Sequence, residues 1–157
     1  MPGAMKTNGT DELIKILNMC ASEASNIAPQ ALYEGAKVVA DAYKKGAQGI
    51  RTAKRSHQEP GGRLPTREEK EAIVNGIGVA RFSKDDDGVD TMVGVAEGYT
   101  TVRGRKKAIK LLARSVNHGT SFMKRQPVFR QASTTSRMSA QRAMVETAEA
   151  LLDRIVK

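Results

Sequence analysis

Four short stretches of the 157-residue chain bring together residue types that could do chemistry. In "NHGTS", His118 is followed by Gly119, Thr120 and Ser121, so a base and two hydroxyl nucleophiles lie within four residues. A hydrolytic triad also needs an acid to orient the imidazole and a tight elbow to expose the nucleophile. Between Glu97 and Glu146 there is no Asp or Glu, and neither hydroxyl stands in a G-x-S-x-G pattern. Gly119 is therefore expected to supply a backbone turn and Thr120 to bond the local chain. No catalytic role is expected, and the chain is read as a non-enzyme.

The second stretch, "KDDDGVD", resembles a calcium loop in composition. With Gly88 set at the obligatory glycine, Asp85 and Asp87 fall on ligand positions. Ser83 then stands first and Gly94 last, where a bidentate Glu belongs. An Asp-Gly hairpin turn is the better reading. In the third, "GYTTVRGRKK", five residues separate Gly98 from Gly104 where a phosphate cradle has four. Arg105 and Lys106 replace its Lys and its Ser or Thr. No nucleotide, metal or other cofactor is expected.

The fourth is the basic run "RGRKKAIKLLAR". Read as a helix from Lys106, it puts Ile109 and Leu112 near one face. Arg103, Arg105, Lys106, Lys107, Lys110 and Arg114 then form a cationic rim for DNA phosphates or an acidic partner. Four to six phosphate contacts would give a log-log salt slope of about −4 to −5. With no Trp and 4% aromatic residues, a stacking platform for single strands is poorly supplied.

These stretches sit on an uneven charge distribution. Residues 1–50 carry five basic and five acidic side chains, 51–100 carry eight and nine, and 101–157 carry thirteen and three, so the +9 net charge comes from the last third. At 39% hydrophobic content the length suits one domain spanning 1–157. No apolar run reaches the 18 residues a membrane span needs, and no leader pattern opens the chain, so residence in the cytosol and no membrane partner are expected. The single cysteine, Cys20, excludes an internal disulfide and is read as a small buried hydrophobe.

The elements that must position the four stretches are helices and β-ribbons. Thr10 is a plausible N-cap for an amphipathic helix ending near Ser25, and Asn26 and Pro29 punctuate it. A second helix is expected from Pro29 to Gly46, with Leu32, Ala36, Val39 and Tyr43 in its apolar stripe. Residues 1–9 are expected to be flexible, and 47–65, with Gly49, Pro60, Gly61, Gly62 and Pro65, to form a long mobile loop exposing His57. Thr66 and Glu69 make a capping-box pattern for a short helix ending at Asn75 or Gly76. An antiparallel hairpin follows over 77–99, and a final amphipathic helix starts from Ser136 or Ser139. The fold class is α+β: an antiparallel twisted sheet against two long helices.

The early helix "ALYEGAKVVADAYKKGA", the loop and hairpin, and "LLARSVNHGTSFMKRQPVFRQA" leading into the last helix carry a resemblance. Over residues 28–157 the chain resembles the tail-completion or neck proteins of long-tailed bacteriophages, the lambdoid gene-ten-product type. Gly119, Thr120, Ser121, Pro127, Phe129, Arg130 and Ala132 stand where that family's motif falls. The resemblance implies a non-catalytic structural subunit of the virion, assembled in the host cytoplasm. It would form a homo-oligomeric ring of six at the head–tail junction or upper end of the tail. Gly119, Thr120, Ser121, Pro127 and Phe129 would lie in a subunit-interface or assembly loop, with residues 119–131 ordered only by neighbours. Partners would be neighbouring neck and tail proteins, with non-specific contact to DNA in the channel. The alternative from another class is a small basic nucleic-acid-binding protein.

Overall fold

The computed structural model describes residues 8–53, 58–59, 61–85 and 88–156. Residues 1–7, the side chain of Cys20, and His57 with most of the centre of the 47–65 segment lie outside what is described. The architecture is α+β, with antiparallel strand pairs and a long C-terminal helix.

Helix α1 runs unbroken over Asn8–Gln48 with Pro29 inside it, where two helices were expected. A proline in a helix interior frees the carbonyl four residues before it, here that of Ser25, and costs about 3 kcal/mol. Ser25 is exposed, so water can donate to that carbonyl. Helix α4, Val128–Val156, starts eight residues before the expected Ser136. Ser136 is a buried interior residue whose Oγ donates to the Ala132 carbonyl at 2.7 Å. Thr134 and Thr135 make the same bond to Arg130 and Gln131, which lets a Ser/Thr-rich stretch remain helical.

The two long helices pack antiparallel. Gly46 faces Val128 and Ala132, and Gly35 faces Met144, whose side chain fills the space a Cβ would take. Ala31, Ala36, Ala40 and Ala47 of α1 and Ala132 and Ala140 of α4 are buried, small enough for the backbones to approach closely.

Helix α2, Arg67–Gly76, begins with the expected capping box: the Glu69 backbone N–H donates to Thr66 Oγ1, and the Thr66 N–H donates to the Glu69 carboxylate. The hairpin over 77–99 forms as two successive ladders on one ribbon. Strand β3 (Ile77–Val79) pairs with β6 (Val93–Val95), and β4 (Ser83–Asp85) with β5 (Gly88–Asp90), opposing Asp85 to Gly88. Strands β7 (Tyr99–Val102) and β8 (Arg105–Ala108) make a second hairpin, and β1 (Gln58–Glu59) pairs with β2 (Gly62–Arg63). Among the described residues the strands pair as four two-stranded ladders, two of them successive on the 77–99 ribbon.

Helix α3, Ile109–His118, closes the core. Leu112, Ala113 and Val116 meet Ala40, Ala47, Ile50, Ile73, Ile77 and Met123, with the Tyr43 and Phe129 rings 5.3 Å apart beside them. No helix is long and apolar enough to cross a membrane among the described residues.

Candidate functional site

The basic run is divided by a hairpin at the point where its apolar spacing predicts a helix from Lys106. Arg103 (φ 52°) and Gly104 (φ 75°) both have positive φ, as the two-residue turn joining β7 to β8 requires. Glycine enters that conformation freely, whereas Arg103 does so against a steric cost of about 1–2 kcal/mol. Strand formation takes Lys106 and Lys107 out of the expected helix and sends them to opposite faces. The β7–β8 pairing outweighs the helical apolar spacing of Ile109 and Leu112, which serves only α3.

Lys107 turns inward to the most buried charge among the described residues. Glu69 is fully buried and its carboxylate receives four donors. Arg63 donates through Nη1 to Oε2 at 2.8 Å and through Nη2 to Oε1 at 2.9 Å. Lys107 Nζ donates to Oε1 at 2.5 Å, and the Thr66 backbone N–H to Oε2 at 2.9 Å. Burial alone would push the Glu69 carboxyl above its ordinary value. The Arg63, Lys107 and Thr66 hydrogen bonds together outweigh it and hold the group down at about 2.

Arg63, Arg103, Arg105 and Lys107 surround a cleft of about 400 Å³ with Glu69 at its base. Four cations face one carboxylate, leaving an excess of positive charge. Arg103, Arg105, Lys106 and Arg114 are exposed and have no ion-pair or hydrogen-bond partner among the described residues. Lys110 reaches Glu97 at 3.3 Å in an exposed pair. The six predicted cations are thus one clamp residue, two residues at the cleft mouth, and three spread over the outer face and α3.

The predicted assembly loop is held by its own chain. Gly119 has φ 77°, and a Cβ there would lie 2.9 Å from the Arg125 Cβ, so both conformation and space favour glycine. Thr120 Oγ1 accepts from the Phe122 and Met123 backbone N–H groups. The Arg63 N–H donates to the Phe122 carbonyl and the Lys124 N–H to the Arg63 carbonyl, fastening the loop to β2. Gln126 spans to the Arg51 backbone with both ends of its amide. Pro127 immediately precedes α4. Residues 119–131 therefore do not wait for neighbours to order them, and the described flank of 47–65 is tied down with them.

Phe129 leans on Tyr43 inside the molecule, while Ser121 and Phe122 face outward, Phe122 at 73% exposure. Together with Leu111 of α3, at 62%, Phe122 walls an open groove of about 530 Å³ that shares Arg63 and Lys107 with the basic cleft. Sequence reading singled out neither residue, because a lone Phe or Leu in a mixed stretch looks like core. It also recognised Glu69 only as a cap, and nothing local to Glu69 signals the partners 6 and 38 residues away. His118 is exposed, beside a cleft of about 410 Å³ lined by Arg125, Arg130, Ser133 and Thr134. Compared with known proteins, the chain matches no family model, no curated protein and no solved structure.

Proposed function

We propose that the chain is a structural assembly subunit of a long-tailed bacteriophage, a tail-completion or head–tail connector protein that joins copies of itself into a ring. The observation that carries this reading is an uncovered length of helix. The contacts of Gly35 with Met144 and of Gly46 with Ala132 put the end of α4 opposite residue 22 or 23 of α1. The first four turns of α1 therefore project roughly 20 Å beyond their partner helix. Ile14, Leu17 and Met19 are exposed on that projection. A solitary helix of that length is marginal in water, and apolar groups on it gain nothing until another surface covers them.

The unpaired Arg103, Arg105, Lys106 and Arg114 also favour a second reading, a small basic nucleic-acid-binding protein. Light scattering paired with a salt titration on duplex DNA separates the two. The subunit reading expects a discrete oligomer and weak, sequence-blind DNA affinity. A monomer at every concentration, with tight binding at physiological salt, would overturn it in favour of the second.

A further inference from the structure

We infer that the projecting start of α1 from one copy seats in the Leu111–Phe122 groove of the next, so that copies associate head to tail. The inference rests on the self-assembly reading and specifies its contact. The groove has an apolar floor of Leu112 and Met123, apolar walls in Leu111 and Phe122, and a cationic rim of Arg63 and Lys107 that continues to Arg103 and Arg105. Its complement is an amphipathic segment with apolar residues one turn apart and acids at one end. Residues 8–22 fit that description: Ile14 and Leu17 are exposed on adjacent turns, and Asp11 and Glu12 precede them against a single Lys15.

A chain cannot fill its own groove this way. The groove lies beside Ala47 and Ile50 at the C-terminal end of α1, through the shared cluster of Leu112 and Met123. The projection lies at the opposite end of the 41-residue helix, with Ile14 and Leu17 about 45–50 Å from Ala47 along its axis. The contact therefore joins two different surfaces on two copies, the heterologous arrangement that closes into a ring when the rotation per subunit permits.

Such an interface has a diagnostic test in two full-length variants, Leu111→Glu/Phe122→Glu in the groove and Ile14→Ser/Leu17→Ser on the projection. All four residues are exposed, so folding is expected to survive, as circular dichroism and unchanged unfolding midpoints would verify. Light scattering is expected to find each variant monomeric at 17.0 kDa. Mixed, they are expected to form a one-to-one dimer and nothing larger, because one intact groove meets one intact projection. Oligomers of unchanged mass in either variant, or no dimer on mixing, would overturn this contact while leaving self-assembly intact. A wild-type protein that is monomeric throughout would overturn both.

Discussion

From Ala31 to Ala47, α1 carries a buried run of small side chains, with Gly35 and Gly46 against α4 and Ala40 and Ala47 in the core beside α3; nearer the start of the same helix Ile14, Leu17 and Met19 are exposed. Backbone conformation is continuous across the two halves, so helix propensity does not distinguish them. Alanines and Gly35 let a second backbone come close in one half, whereas Ile14, Leu17 and Met19 present bulk to open surroundings in the other. Burial against the chain's own residues marks a part that the subunit needs to fold. Apolar exposure on an ordered element marks a part that is completed from outside. The Glu69 clamp and the 119–127 loop belong with the first kind.

Damage to the covered regions is therefore expected to lower stability, and damage to the projecting region to change association alone. The largest effect is expected at the clamp. Glu69→Leu leaves Arg63 and Lys107 partly buried without their carboxylate, and urea unfolding is expected to show a loss of about 3–5 kcal/mol. Arg67 and Glu71 also pair, at 2.9 Å, but in an exposed position where an ion pair contributes about 1 kcal/mol or less. Equal losses from Glu69→Leu and Glu71→Leu would mean that the clamp is no more than a surface pair.

Acid unfolding sharpens the same point. Glu69 has its folded-state value lowered to about 2 from an ordinary 4.5, so its contribution is fully present above pH 4.5. It declines as pH falls through that window and is gone below about 2. The span corresponds to about 3 kcal/mol. Stability curves measured from pH 6 to 2 are expected to be flatter for Glu69→Gln than for the wild type, and parallel curves would remove the clamp's role.

The smallest effects compare the two halves of α1 directly. Ala40→Leu overpacks the covered half and is expected to cost about 1–3 kcal/mol in thermal or urea unfolding. Ile14→Ser on the projection is expected to stay within about 0.5 kcal/mol of wild type under conditions where the protein is monomeric. A reversal of that order would show that the projection is covered within its own subunit.

Sequence by itself determined the features that depend on neighbours a few residues apart. Thr66 and Glu69 announced the start of α2 because a capping box closes over three residues. The β-prone runs flanking Asp-Gly announced the 77–99 ribbon, the turn residues 86–87 lying outside the described residues, and apolar spacing announced the bodies of the long helices. Tertiary structure decided what those local signals leave open. Pro29 reads as a stop, yet α1 continues through it, and Ser136 reads as a cap, yet lies buried in the middle of a helix. Lys106 and Lys107 fit a helix until pairing with Thr101 and Thr100 makes them a strand. Joining Glu69 to Arg63 and Lys107, and leaving Phe122 outside while Phe129 turns inward, depends on how segments meet in space. Those outcomes are set by long-range burial and by the demand that every buried charge find a partner, and no local window of sequence contains either.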